Sequence, residues 1–296
     1  NVGVEAGAIK AFGEINDQRV FATLGTALSD PEKWVRFYAA EALGKKEKAL
    51  YLADLISLRD RDNEPEVVLS SEKAIVRISI ANGLVTSLTN QQLIIGLDVN
   101  NEPTQIGAAQ ELFIRDDAQG SSLAQEKFIW PLLNQLSSST GWTNHQLQQK
   151  IMHYGDIAVQ PLVDNASGKR WTNTDAVKWS ALMLGYVGEF NDVFELLQHI
   201  VYWGNLHPAN QIYDWWHAGE AGRGLTRLYS RQSIETWMEV LRNYEYKNAP
   251  NPYGYGRSHA AQYLGIKKAV ESVDLLMDRA INDVPNVSMW SVRSLG

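Results

Sequence analysis

The segment 30–60, which reads DPEKWVRFYAAEALGKKEKALYLADLISLRD, constrains the fold of this chain more than any other stretch. Asp30 and Pro31 are suited to the start of a helix, because aspartate caps helix N-termini and proline costs nothing at the first helical position. Gly44 is expected to end that helix, since glycine readily adopts the left-handed backbone conformation of a C-terminal cap. Four apolar side chains share one face of the helix at helical spacing: Val35, Ala39, Ala42 and Leu43.

A second amphipathic run follows within the same segment, and its apolar stripe consists of Leu52, Leu55, Ile56 and Leu58. Neither helix can bury its stripe alone, so each helical hairpin needs a neighbouring hairpin to cover it. The segment therefore predicts an all-α fold in which helical hairpins stack on one another.

A helix of small residues that ends in glycine recurs along the chain, at Gly13, Gly44, Gly185, Gly265 and Gly296, with a weaker match at Gly155. Gly13 and Gly44 are 31 residues apart, and so are Gly265 and Gly296. Equal periods in separate parts of a chain indicate a repeat, here of about 30 residues. The alternative of a closed α/α toroid uses longer periods, and the spacing therefore disfavours it.

The motif in this repeat resembles the HEAT repeat of the short bacterial kind, which also occurs in bilin lyases. The residues that carry the resemblance are Asp30-Pro31, Val35-Arg36, Ala39-Ala40 and Ala42-Leu43-Gly44, with Val76-Arg77 and Val292-Arg293 as echoes. The resemblance implies an α-α superhelix, that is, a HEAT-like α-solenoid. It also implies that Arg36, Arg77 and Arg293 pair with the turn aspartate of a neighbouring repeat and do not bind an anion.

We expect two groups of repeats separated by a linker. Residues 1–136 form the N-terminal HEAT-like repeats, of which 91–136 are irregular, although Ile106, Ala109, Leu112 and Phe113 still define one amphipathic helix. The Ser-rich segment 137–145 is a possible linker. Residues 146–296 form the C-terminal repeats with aromatic-rich insertions. The repeat pattern reaches both ends of the sequence, which raises the expectation of end-to-end contacts through terminal repeats.

Motifs for catalysis and metal binding are absent from the sequence. The chain has no cysteine, which excludes disulfides, thiolate metal sites and cysteine nucleophiles. It has no HExxH, GxSxG, GxxxxGK[ST] or GxGxxG motif, and no two of its six histidines are three or four residues apart. We therefore predict no catalytic residue, no metal ligand and no cofactor.

Composition and charge restrict the partners. A formal net charge of -7 disfavours broad nucleic-acid binding, which requires a basic surface. No apolar run approaches the roughly 20 residues of a membrane-spanning helix. The composition, with 45% hydrophobic and 21% charged residues, is that of a soluble globular protein. No signal peptide is visible, and the sequence leaves the compartment undetermined.

Aromatic residues are the strongest compositional anomaly, with ten tryptophans and twelve tyrosines concentrated in the C-terminal half. Tryptophan, tyrosine and arginine dominate the energetics of protein interfaces. The candidate binding residues are Tyr202, Trp203, His207, Tyr213, Asp214, Trp215, Trp216, His217, Tyr253, Tyr255, Arg257 and His259. An alternative interpretation, which the sequence leaves open, is that these aromatic residues fill the core of stretched repeats.

Two classes of function follow. The first is a non-catalytic protein-binding scaffold, or a subunit of a larger assembly, that recognises a protein partner through an aromatic-rich solenoid surface. The second is an enzyme, as the resemblance allows: a bilin lyase with Asp214, His217 or Glu220 as acid or base, or, less favoured, a DNA glycosylase for alkylated bases. The missing catalytic motifs favour the scaffold.

Overall fold

The computed structural model of the protein describes residues 2–15, 17–138, 141–169, 174–206, 215–243 and 255–296. Among these residues the regular secondary structure is entirely helical, which confirms the all-α fold class. The helices are α1 (Val2–Phe12), α2 (Arg19–Ala27), α3 (Lys33–Lys46), α4 (Leu52–Arg61), α5 (Pro65–Ala81), α6 (Asn90–Gly96), α7 (Glu102–Ile114), α8 (Ala118–Ala124), α9 (Trp130–Leu136), α10 (Gly141–His153), α11 (Val159–Ala166), α12 (Thr174–Val187), α13 (Phe190–Leu206), α14 (Trp215–Ser230), α15 (Ile234–Asn243), α16 (Tyr255–Ile266), α17 (Val273–Asn282) and α18 (Pro285–Leu295).

The chain divides into two compact units, Asn1–Lys127 and Phe128–Gly296. The division falls within the π-helical turn Gln125–Ile129, which connects α8 to α9, and so precedes the predicted linker. Within the predicted linker segment 137–145, α10 already begins at Gly141. A π-helical turn interrupts the regular ladder of backbone hydrogen bonds without needing the Ser- or Gly-rich residues of a linker. The boundary therefore could not be recognised by its composition.

In the first unit the odd-numbered helices α1, α3, α5 and α7 form one layer in which each packs against the next. The helices α2, α4 and α6 each pack against helices of this layer. The predicted stripe of α3 (Val35, Ala39, Ala42 and Leu43) is buried, as are Leu55 and Leu58 of α4. Ile56 differs from the prediction, because 39% of its surface remains exposed.

The prediction for the start of α3 is wrong by two residues. The helix begins at Lys33, and the Asp30 carboxylate accepts a hydrogen bond of 2.8 Å from the amide of Glu32 in the preceding turn. The next hairpin repeats this device, since Asp62 accepts a hydrogen bond of 3.0 Å from the amide of Glu64. The aspartate thus shapes the turn before the helix by the local bonding that favours this residue in turns.

The prediction that Gly44 ends α3 is also wrong. The helix continues to Lys46, and Glu47 takes the left-handed conformation with φ of 54°. A Cβ atom on Gly44 would lie only 3.0 Å from Cα and Cβ of Ala74, so the glycine lets α3 approach α5 closely. Gly265 plays the same part, since its Cβ would lie 2.5 Å from Cβ of Ser294 on α18. At Gly44 and Gly265 the recurring glycine therefore marks a close contact with another helix.

In the second unit α12 and α13 pack against α14, α15 packs against α16, and α18 packs against both α16 and α17. Helices α12 and α14 approach each other closely, since a Cβ on Gly185 would lie 2.5 Å from the carbonyl carbon of Gly224. Much of the core is aromatic, with Trp237 and Tyr229 among the fully buried side chains.

Candidate functional site

An aromatic row lies on the surface of α3 in the first unit. It consists of Trp34, Phe37 and Tyr38, which helical spacing places outside the buried stripe. The rings of Trp34 and Phe37 meet edge to face with centroids 5.7 Å apart, and those of Phe37 and Tyr38 do so at 5.1 Å. Such contacts hold the rings in fixed orientations while 41% of Trp34 remains exposed.

Two lysines lie over this aromatic row. The Nζ atom of Lys33 is 5.3 Å from the Trp34 ring centroid, and that of Lys10 is 5.2 Å from the Tyr38 ring centroid. Cation–π contacts at this distance contribute about 0.5–1 kcal/mol each at exposed sites. The row therefore combines apolar area with positive charge at its edges.

Beside the row, a groove of about 470 Å³ runs between α3 and α5 and is closed at one end by residues 98–100. Its apolar lining consists of Phe37, Leu69, Ala74 and Val99. Leu69 is 46% exposed on a helix whose opposite face is buried. We call this feature, with its lining residues, the α3–α5 groove. Its volume lies within the range of binding pockets in proteins, about 300–1,000 Å³.

Charged side chains form the walls of the α3–α5 groove, and most of them are paired. The Glu41 carboxylate lies 3.4 Å from Nζ of Lys45, which also contacts Glu14 at 2.6 Å. Arg77 pairs with Glu47 at 2.8 Å. Asp98 pairs with Lys127.

One of the three arginines that the HEAT resemblance assigns to an internal ladder, Arg36, makes the implied pair. Arg36 donates to the Asp62 carboxylate through Nε at 2.6 Å and through Nη2 at 3.1 Å, which confirms the pairing with the turn aspartate of a neighbouring hairpin. These hydrogen bonds lower the pKa of Asp62 and raise that of Arg36. Arg77 differs, because it reaches back to Glu47, and the Arg293 guanidinium lies 5.0 Å from the Trp290 ring centroid. Both occupy later positions in their helices than Arg36 does in α3.

The predicted C-terminal site is described only in part. Four of its residues lie outside the described residues: His207, Tyr213, Asp214 and Tyr253. Five lie on described helices, Tyr202 and Trp203 on α13, Trp215 and Trp216 on α14, and Tyr255 on α16. The binding role of this set stays a prediction.

The remaining three residues of that site lie in the interior of the second unit or at its helix contacts. His217 is buried near the start of α14. Arg257 donates to Asp283 at 2.7 and 2.9 Å, in a pair of the same kind and sequence separation as Arg36–Asp62 in the first unit. The ring of His259 lies 6.3 Å from that of Tyr229, and its Nδ1 atom is enclosed without a hydrogen-bond partner among the described residues.

Several aromatic residues outside the predicted C-terminal site pack against one another in the second unit. Trp237 and Tyr263 have ring centroids 5.0 Å apart, and Phe190 meets the edge of Trp237 at 6.2 Å. The Tyr229 hydroxyl donates a hydrogen bond of 3.2 Å to the carbonyl of Gly256. These rings stabilise the contacts among α13, α14, α15 and α16.

Of the acid or base candidates for the enzymatic alternative, His217 and Glu220 lie on α14, and Asp214 lies outside the described residues. Among the described residues, no group of three or more histidine, aspartate and glutamate side chains is placed to hold a metal ion. Glu220 is largely buried and pairs with Arg223 at 3.1 Å.

In the described part of the chain, no helix combines the length and the apolar character that crossing a membrane requires.

Comparison with protein families gives a match to the family model of HEAT repeats over residues 1–76. That range contains α1 to α4 and most of α5, including the aromatic row and much of the α3–α5 groove. Residues 1–76 form HEAT-like repeats. Comparison with curated protein sequences finds no significant match. HEAT repeats are commonly protein-interaction scaffolds, and their stacked hairpins present extended surfaces that suit a protein partner.

The aromatic row on α3 was not predicted from the sequence, although the motif WVRFY contains its three residues. Trp34, Phe37 and Tyr38 recur at a spacing of three and four residues, which puts them on one face. That face excludes Val35 and Ala39, which belong to the buried stripe. The sequence signal for the row is a second apolar face on a helix that already has one apolar face for the core.

Acid is expected to destabilise the second unit through His259. Burial lowers the pKa of His259 from 6.5 to about 4, so the folded state holds the neutral imidazole. As the pH falls below about 6.5, the unfolded chain binds a proton that the folded chain does not, and stability falls by about 1.4 kcal/mol per pH unit until the pH reaches the folded pKa. Burial also lowers the pKa of His199, so part of the wild-type slope belongs to that residue.

Urea unfolding at about pH 7.5 and about pH 5.5 measures this effect in the wild type and in His259→Leu. The variant should lose less free energy of unfolding between the two pH values than the wild type does. An equal loss in both proteins would contradict the assignment of the acid sensitivity to His259.

Proposed function

We propose that this HEAT-like repeat protein is a non-catalytic scaffold that binds a protein partner in the α3–α5 groove and along the adjacent aromatic row. The observation that carries the proposal is the exposure of Leu69 and Trp34 on neighbouring helices of one layer, next to a groove with an apolar lining. Contiguous exposed apolar surface with a polar rim is typical of protein interaction sites.

The composition of this surface suits a protein better than a small metabolite. Trp34, Phe37 and Tyr38 are aromatic anchors of the kind that dominate binding energy at interfaces. Their rings are fixed by contacts with one another, so a partner loses little affinity to the ordering of these side chains. The paired charges at the rim, such as Glu41 with Lys45, supply orientation.

Affinity capture with matched variants tests the proposal. Leu69→Asp places a charge in the groove, and Ile56→Asp places one on α4, at a residue of similar exposure outside the groove. Both side chains are exposed, so each variant should stay within about 0.5 kcal/mol of wild-type stability. We expect a discrete set of proteins, identified by mass spectrometry, to be lost with Leu69→Asp and retained with Ile56→Asp.

A third arm of the same experiment addresses the C-terminal surface. The double variant Trp215→Ala, Trp216→Ala removes two of the predicted aromatic contacts. Loss of the captured proteins with this variant, together with retention in Leu69→Asp, would contradict the groove and favour the C-terminal surface. Retention with every variant would contradict both surfaces.

The expected end-to-end contact is a second proposal, and we propose that its partner is a second copy of the chain. It would use an apolar face formed by six exposed side chains, Val273, Met277 and Ile281 on α17 and Met289, Val292 and Leu295 on α18. An apolar face can pair with its own copy across a two-fold axis, which is the commonest symmetry of protein dimers. In light scattering after size exclusion, the mass of the wild type should rise with concentration, whereas Ile281→Glu should keep the mass of a monomer. A monomer at every concentration would contradict it.

A further inference from the structure

We infer that the segment bound in the α3–α5 groove presents an apolar side chain to Leu69 and, at a fixed spacing from it, a carboxylate to Lys73. The inference rests on the proposed function of the groove and identifies the chemistry of its partner. It is carried by the charges on the groove walls, of which one is left without a partner.

The acidic side chains that line the groove are near cations of the protein itself. Glu41 lies 3.4 Å from Lys45, Glu66 lies 3.9 Å from Lys33, and Asp98 is paired with Lys127. The Arg77 guanidinium is held by Glu47 in the turn after α3. Each of these lining charges thus has an oppositely charged neighbour within the protein, although Glu41 shares Lys45 with Glu14 and Glu66 shares Lys33 with Glu64.

Lys73 differs from the other lining cations. It is partly buried on α5, and it forms no ion pair or hydrogen bond with any described residue. It follows Leu69 by four residues, so the two side chains are neighbours on one helix face. A partner that buries the apolar floor around Leu69 also removes water from the Lys73 ammonium. That desolvation is unfavourable unless the partner supplies an acceptor, and a carboxylate is the strongest one a protein offers.

The other polar groups in the groove do not provide an alternative anchor of equal strength. The Ser70 hydroxyl already donates a hydrogen bond of 3.1 Å to the carbonyl of Phe37. Asn100, at the closed end, is exposed and neutral. The groove thus combines an apolar floor with one lysine that has no ion-pair partner among the described residues.

The same walls argue against two other classes of ligand. A basic segment would bring a like charge to Lys73, which costs binding energy. A nucleic-acid backbone carries regularly spaced phosphates, and these would meet Glu41, Glu66 and Asp98 along with Lys73. A protein segment with a single carboxylate beside an apolar anchor satisfies both features of the groove.

A random peptide library displayed on phage is the probe. It is selected on the full chain after depletion on Leu69→Asp, and the enriched peptides are synthesised and titrated by fluorescence anisotropy. We expect the enriched peptides to share an apolar residue with Asp or Glu at one fixed spacing. Lys73→Glu should weaken their binding at least about 10-fold, whereas Lys150→Glu, which makes the same change in net charge on α10, should leave it within about twofold.

A charge exchange completes the test. Replacing the shared acidic residue of the peptide by lysine should weaken binding to the wild type and restore it with Lys73→Glu. Leu69-dependent peptides that lack an acidic position, or equal effects of Lys73→Glu and Lys150→Glu, would overturn the inference and leave the groove as a binding surface. A selection that yields no Leu69-dependent peptide would overturn the inference together with the proposed groove function.

Discussion

Replacing Gly185 by alanine is expected to destabilise the second unit by at least about 3 kcal/mol, beyond the usual cost of adding a methyl group to a packed core. The new Cβ would lie 2.5 Å from the carbonyl carbon of Gly224 and would also overlap its oxygen and Cα. These are backbone atoms, which cannot rotate out of the way as a side chain can. Helices α12 and α14 would therefore have to separate, and buried neighbours such as Leu184 and Leu225 would lose their contacts.

Gly222→Ala on α14 is the matched control for this substitution. No atom lies within 4 Å of the Cβ position of Gly222, and the residue is in the interior of a helix. Alanine is favoured over glycine there by up to about 1 kcal/mol. Urea unfolding followed by circular dichroism should give a lower midpoint for Gly185→Ala and an equal or higher one for Gly222→Ala. Equal midpoints for the two variants would contradict the close contact of α12 with α14.

Removing the Asp283 carboxylate is the second change with a large expected effect, about 3 kcal/mol of unfolding free energy. Only 3% of this side chain is exposed, and it accepts hydrogen bonds of 2.7 and 2.9 Å from Arg257 and of 2.7 Å from the amide of Val284. Asp283→Ala leaves the Arg257 guanidinium partly buried without its carboxylate. Breaking a buried pair by removing one partner costs more than the pair itself contributes, because a charge stays uncompensated.

A double-mutant cycle with Asp283→Ala and Arg257→Met measures the coupling of the pair. We expect it to exceed about 1 kcal/mol, as for residues in direct contact. The exposed pair of Arg242 with Glu235 serves as a control, and Glu235→Ala should cost less than about 1 kcal/mol. If Asp283→Ala destabilised the protein no more than Glu235→Ala does, Arg257 would not be part of an internal ladder.

The hairpins could be predicted from sequence because their determinants are local. The stripe of Val35, Ala39 and Leu43 follows from helical periodicity alone, and all three are buried. The role of Gly44 could not be predicted in the same way. A helix-ending glycine and a glycine at a helix–helix contact look alike in sequence, and only the position of Ala74 on a separate helix distinguishes them.

The candidate site was harder to predict than the fold because exposure depends on which helices meet. Tyr229 and Trp237 belong to the aromatic-rich half, but α13 and α16 cover them, and sequence does not show that contact. Trp34 lies on a helix with a complete buried stripe, and the structure leaves its ring at the surface. Lys45 pairs with Glu14, and Arg77 pairs with Glu47; each pair joins residues some 30 positions apart, so it depends on how the hairpins stack. These pairs leave Lys73 as the lining cation without an ion-pair partner among the described residues.

Site-specific photocrosslinking tests the binding role of the α3–α5 groove most directly. A benzophenone amino acid is placed at Leu69 in one variant and at Ile56 in another, two positions of similar exposure in the same unit. The variants are irradiated in native extract, and the products are separated by mass. We predict discrete protein adducts from position 69 that are absent from position 56. No adduct at position 69, or the same adducts at both positions, would contradict a protein-binding role for the groove.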